Sequence, residues 1–258
     1  MRPLFTLVKR EFAAYFLSPI AYVASAVFLI VTGYLFSLTL GQLTETGPRG
    51  IEYPMQGLLG GKEFWLIFLT IPPLLTMRLI AEERGTGTLE MLLTAPIRDW
   101  QVVAGKYIGS LMFYVVLWLP TLAAVPVLID LHRDAEGAFV AGIDPWPVVT
   151  SYVGVFFAGA MFLAIGLLVS SLVKSQLVAA LIATCASLVF VATAFGAQDL
   201  AVESWWGKLV TFLSVPNHFR TDFTRGILDT RHLVLYASVA ACCLFLTVVS
   251  LETRRLRA

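Results

Sequence analysis

Charge is what this sequence has least of. Asp, Glu, Lys and Arg make up only 14% of its 258 residues, and the formal net charge is +1. Soluble domains carry about 25% charged residues. So small and balanced a charge excludes the global basic field of a nucleic-acid-binding chain. Cysteine is also scarce: Cys185, Cys242 and Cys243 fall inside apolar runs and form no C-x-x-C pair. That excludes a disulfide framework and leaves the three as small apolar helix residues. Catalytic signatures are missing as well. No H-E-x-x-H or G-x-S-x-G occurs, and His132, His218 and His232 have no metal-ligand spacing. Two stretches come near a nucleotide motif and fail. In LLGGKEF, Glu63 stands where a phosphate loop needs Ser or Thr, and GTGTLE has no third glycine and follows no strand. The chain reads as having no catalytic site, metal or cofactor of its own. If ATP is used, its site is on another chain.

Apolar sequence is abundant: 58% of residues are hydrophobic and the mean hydropathy is +0.82. This composition overrides the soluble-domain reading of the length and predicts an all-α, polytopic membrane protein. A spanning helix needs about 20 mostly apolar residues. Stretches 20–41, 64–80, 105–129, 147–173, 176–198 and 233–251 qualify, giving six transmembrane helices in a single domain over 1–258. The second contains Pro72–Pro73 and the third Pro120 and Pro126, which kink a helix and free backbone carbonyls. Small residues recur in the fourth and fifth, as at Gly154, Ala158, Gly159 and Gly166, where they permit close helix packing. Arg78 and Lys106 fall at the edges of spans two and three, and no carboxylate lies mid-span, which disfavours a proton-coupled carrier.

Six spans put both termini on one side. Eleven of the 18 Lys and Arg residues lie in the termini, at 78, in the 81–106 region and at 174. The positive-inside rule makes that side cytosolic. Residues 2–17 interleave Leu4, Phe5, Leu7, Val8, Phe12, Tyr15 and Phe16 with Arg2, Lys9, Arg10 and Glu11 before Ser18–Pro19. A basic amphipathic helix of this kind lies in the membrane interface. The early charges also interrupt any signal-peptide core, so the segment is expected to stay in the mature chain.

Between the second and third spans sits AEERGTGTLEMLLTAPIRDW, residues 81–100. Its middle, TLEMLLTA, reads as a helix of roughly 12 Å, too short to cross about 30 Å of hydrocarbon. Leu89, Leu92 and Leu93 share one face, and Gly85 and Gly87 allow a sharp turn into it. Gly87 can cap the helix, with Glu90 at its positive end and Pro96 beyond its stop.

RLIAEERGTGTLEMLLTAPIRDWQVVAGKYIG resembles the stretch after the second span in ABC-2 type transporter permeases. KREFAAYFLSPIAY resembles their elbow helix. SVPNHFRTDFTRGILDTRHLVLY resembles the segment before span six in the gliding-motility and nitrous-oxide-reductase-maturation subgroup. Thr86, where a basic or polar residue is common, is a minor departure. The resemblance implies a permease subunit in the inner (cytoplasmic) membrane that couples ATP hydrolysis on a separate subunit to export or to mechanical work. Two ATP-binding subunits would carry ATP and Mg, and a second permease chain, identical or related, would complete a dimer. An extracytoplasmic accessory protein could join them; nucleic acid would not. It also implies a coupling helix over about 86–95, with Glu82, Glu83, Gly87, Thr88, Leu89, Glu90, Leu92 and Leu93 facing or positioning the ATPase. Lys9, Arg10, Glu11 and Phe12 fall in the elbow. Trp205, Trp206, His218, Phe219, Arg225 and Gly226 fall in a re-entrant outer gate over about 199–231. The Trp pair suits an interface by residue type, and Leu209, Phe212 and Leu213 are spaced for one face. The alternatives are a structural subunit of an envelope assembly that transports nothing, and an ATP-independent channel or carrier.

Overall fold

The structure, a computed structural model, describes residues 2–46, 54–88, 98–126, 146–196 and 205–255. These residues are helical wherever they are regular. In chain order the helices are α1 (Arg2–Phe16), α2 (Pro19–Thr46), α3 (Pro54–Leu59), α4 (Lys62–Phe68), α5 (Ile71–Thr76), α6 (Ala81–Gly85) and α7 (Asp99–Trp118). After them come α8 (Trp146–Leu172), α9 (Gln176–Gly196), α10 (Trp205–Leu213), α11 (Val215–Thr221) and α12 (Thr230–Arg255). Short 3-10 turns cover Leu119–Ala123 and Phe223–Arg225. Among the described residues five stretches are long and apolar enough to cross a membrane: Pro19–Gln42, Asp99–Pro126, Trp146–Leu172, Gln176–Ala194 and Thr230–Thr253.

α8 is the centre. Its most apolar window is 78% buried, against 17% in α2 and in α12. The other long helices therefore turn side chains such as Ile30, Leu181, Val234 and Phe245 outward, as lipid contact requires. Close approach to α8 depends on its small residues. A Cβ on Gly154 would meet Phe219 and Phe223 at 2.9 Å, one on Gly159 would strike the Tyr114 ring, and one on Gly166 would strike Thr76. Gly105 and Gly109 of α7 admit α1 in the same way, since a Cβ there would meet Leu7 at 2.6 Å and Glu11 at 2.8 Å.

The 64–80 stretch differs from the single helix expected of it. Pro72 and Pro73 sit at the start of α5, where a missing N–H is harmless. The helical donors for the Phe68 and Leu69 carbonyls are thereby lost, and the chain turns at Leu69–Thr70 instead of continuing. Its apolar helical part, Phe64–Thr76, is shorter than a spanning helix. The interrupted path nonetheless runs the length of the molecule. At one end Gln56 Nε2 donates to the Arg220 carbonyl (3.4 Å), and at the other the Ile80 and Ala81 N–H groups reach Ser170, near the end of α8. α8 meets the 219–223 region at Thr150 and residues 80–81 at Ser170, points about 30 Å apart along the helix.

The third apolar stretch begins at Asp99 instead of 105, so Lys106 lies inside the helix. Gln101 Oε1 accepts the Arg98 N–H (3.2 Å), and Asp99 sits at the positive helix end. At the far end Pro120 converts the helix to a 3-10 turn, where Thr121 Oγ1 donates to the Trp118 carbonyl (2.6 Å).

Candidate functional site

A lysine buried in an apolar helix must find carboxylates or lose its charge. Lys106 is 1% exposed and finds two. Its Nζ donates to Glu83 Oε1 at 2.7 Å and to Glu11 Oε1 at 3.2 Å. Arg10 extends the cluster, bonding Glu11 at 3.0 Å and standing 4.0 Å from Glu83. Two cations thus balance two anions contributed by α1, α6 and α7. Glu83 Oε2 is buried without a hydrogen-bond partner among the described residues.

The rest of the 77–88 segment is fixed by single side chains. The Ser170 hydroxyl accepts the N–H groups of Ile80 (3.1 Å) and Ala81 (3.0 Å) and donates to the Met77 carbonyl (3.2 Å). It stands in for the backbone ladder that the turn interrupts. Arg84 Nη1 donates to the Ser171 and Val173 carbonyls (2.7 and 3.1 Å), where a cation also favours the negative end of α8. Arg78 Nη2 donates to the Ala14 carbonyl (3.0 Å), with its guanidinium 5.1 Å from the Tyr15 ring centroid. Tyr15 donates to the Leu75 carbonyl (2.8 Å), and burial holds its phenol well above the usual range. The segment is therefore attached to α1, α7 and α8 at once.

The residues expected to couple to an ATPase divide here. Glu82 is exposed, whereas Glu83 turns inward to Lys106. Gly87 has φ +76°, a left-handed conformation that favours glycine. Thr88 follows it, exposed and with helical backbone, its hydroxyl 2.9 Å from that of Thr86. Leu89, Glu90, Leu92 and Leu93 lie outside the described residues. Of the elbow group, Lys9 is exposed, Arg10 and Glu11 join the cluster, and Phe12 packs edge-on to Phe16.

At the opposite end of α8, the 3-10 turn is bonded to the first turns of the helix: Thr150 Oγ1 donates to the Phe223 carbonyl at 2.6 Å. Gly226, φ +84°, lies against Pro147. Phe219 and His218 are buried and Arg225 is exposed. In α10, Trp205, Leu209 and Phe212 are exposed, and Trp206 shares the same helix. The imidazoles of His218 and His232 stack with centroids 3.7 Å apart. His218 bonds the Tyr236 hydroxyl (2.8 Å) and the Phe212 carbonyl (3.1 Å), and His232 bonds Asp222 (2.9 Å). An open cavity of about 360 Å³ adjoins them, edged by Lys208 and Asp229. Burial, and then the neighbouring His232, push His218 down to about 3. Among the described residues no cluster of three His, Cys, Asp or Glu could hold a metal ion.

Sequence reasoning missed Lys106 and Ser170. A single lysine beside an apolar run reads as a span boundary, and its partners lie 95 and 23 residues away. Two glycines spaced for a groove, Gly105 and Gly109, were the available signal that something packs there. In comparisons with known proteins, residues 63–243 match the family model described as ABC-2 family transporter protein. Among curated proteins, none matches the chain.

Proposed function

From the premise that the chain belongs to the ABC-2 transporter family, we propose that it is the permease subunit of a complex whose ATP hydrolysis occurs on a partner chain. Membership makes it a multi-pass membrane component and implies an ATP-binding partner. On this reading two ATPase subunits bind beneath a permease dimer, and the chain is of the gliding-motility and nitrous-oxide-reductase-maturation kind, which its 214–236 segment resembles. Six passes are completed by the interrupted 54–85 path. The α1 end is cytosolic, with α1 as the elbow helix, and residues 81–95 engage the ATPase through Leu89, Leu92 and Leu93. Glu82 and Glu90 set register at the rim. Residues 199–231 form a re-entrant outer segment whose exposed Trp205, Leu209 and Phe212 meet the outer leaflet.

One observation carries this reading: residues 77–88 are attached to three helices at once through Lys106, Ser170, Arg78 and Arg84. A passive connector needs no such attachment. A segment that must pass displacement into the spans does, because packed elements transmit strain where loose loops dissipate it.

Affinity purification from the native membrane, followed by ATPase assay, tests the proposal. The wild-type chain brings down a phosphate-loop ATPase, and Leu89→Ala with Leu92→Ala releases it at matched expression. Losing a well-buried leucine costs about 2–5 kcal/mol, enough to dissolve a micromolar contact. Unchanged recovery of the ATPase would make the segment a connector only.

A further inference from the structure

We infer that Lys106 is a positioning residue that ties α1 to the ATPase-facing segment, so that the two move as one body. The inference rests on the functional reading above for what drives the movement, but its geometry is independent of that reading.

Lys106 has no other evident reason to be charged. It occupies the second turn of an apolar helix, 1% exposed, where leucine or methionine would pack without desolvating an ammonium. Replacing a buried ion pair with apolar residues is often neutral or stabilising, so a buried lysine held by two carboxylates is weak evidence for stability and better evidence for specificity. Here the specificity concerns which elements meet. Glu11 comes from α1 and Glu83 from α6, and the same ammonium holds both within 3.2 Å. Gly105 and Gly109 flank Lys106 and let α1 approach α7 closely enough for the contact. Arg78 and Tyr15 repeat the connection one turn further along α1, through the Ala14 and Leu75 carbonyls.

The arrangement also assigns different work to the adjacent glutamates. Glu82 is exposed and free to meet a partner. Glu83 belongs to the interior of this chain, so a Glu83 variant should disturb transmission while leaving recruitment of the ATPase intact. Glu83 Oε2 is buried and unpartnered, and Arg10 stands 4.0 Å from Oε1 while it bonds Glu11. Arg10 thus adds a second cation between the same two carboxylates and reinforces the tie between α1 and α6.

The test uses the full chain in nanodiscs, with its cysteines replaced by alanine and spin labels at Lys9→Cys and Thr86→Cys, both exposed positions. Distances are measured in the isolated permease and in the ATPase complex, before and after trapping with ATP and vanadate. The expected wild-type result is a single narrow distance, unchanged by trapping. Lys106→Met broadens it in both preparations, Lys106→Arg restores it, and Glu83→Gln gives an intermediate width. In the complex, Lys106→Met keeps the ATPase bound but lowers hydrolysis about tenfold, a rise of about 1.4 kcal/mol in the activation free energy. A narrow distance in Lys106→Met overturns the inference, as does a wild-type distance that changes on trapping. Failure of the functional reading is recognisable separately: no ATPase accompanies the wild-type chain, while the distances in the isolated permease still decide whether Lys106 makes the tie.

Discussion

Ser170 shows how much of this architecture depends on single polar atoms. Its hydroxyl serves two N–H groups and one carbonyl, all buried, at the point where the helical ladder is interrupted. Ser170→Ala leaves both donors without an acceptor, and an unsatisfied buried group costs about 1–3 kcal/mol. The expected outcome is a lower midpoint of thermal unfolding in detergent, with faster hydrogen exchange confined to 77–88. Gly159 supplies a steric counterpart. Gly159→Ala drives a methyl into the Tyr114 ring, which is held by its bond to the Val155 carbonyl (3.0 Å), whereas Gly33→Ala meets nothing within 4 Å. Overpacking costs about 1–3 kcal/mol. The first variant should therefore unfold earlier and the second should not, and equal melting of the two would contradict the packing described. Gly159 was legible in the sequence as one of a run of small residues. Ser170 was legible only as that, because its three backbone partners lie about 90 positions away.

At the scale of elements, long apolar helices were the most legible part, since periodicity is irrelevant when a helix is apolar all round and length alone decides. Their ends were less so: Asp99 and Gln101 cap a helix that hydropathy alone starts at 105. The interrupted 54–85 path was hinted at by Pro72–Pro73, but its second break depends on Ser170 and could not be foreseen. The element most sensitive to conditions is the pair α10–α11. It is joined to α12 through His218, which contacts the Tyr236 hydroxyl, the Phe212 carbonyl and His232, near Asp222, Asp229 and Lys208. The folded segment keeps His218 neutral down to about pH 3, while an unfolded imidazole takes its proton near 6.5. Between those values the unfolded form binds more protons, so this contribution to stability is complete above about pH 6.5 and is lost as pH falls. Protection factors over 205–232, taken relative to the intrinsic exchange rate at each pH, should fall between pH 7 and pH 5. His218→Gln, which keeps a donor and an acceptor, should flatten that profile, and an identical profile in the variant would refute the role of His218.

For the whole molecule, the number of membrane passes decides where the two ends of the chain lie. Five passes would put them on opposite sides, and six put them on one. The route of the chain favours six. α2 leaves the α1 end, and the 54–85 path returns from the Gln56–Arg220 contact to the Lys106 cluster. α12 starts at the His218 end and packs against α8, and its 26 residues rise about 39 Å, enough to carry Glu252 back toward the α1 end. On the proposed topology charge orients the assembly: Lys9, Arg10, Arg78, Arg84, Arg98 and Lys174 belong to that end, and the positive-inside rule predicts that it is cytosolic. Single cysteines at Lys9, Thr88, Gly137 and Glu252, in a chain otherwise free of cysteine, test the arrangement with a membrane-impermeant maleimide on intact cells. Gly137 should react at once, and the other three only after the cells are opened. Labelling of Glu252 but not Lys9 from outside would mean that the 54–85 path dips into the bilayer and returns without crossing. Labelling of Thr88 from outside would put the segment out of reach of any cytosolic ATPase, and the coupling proposal would fail with it.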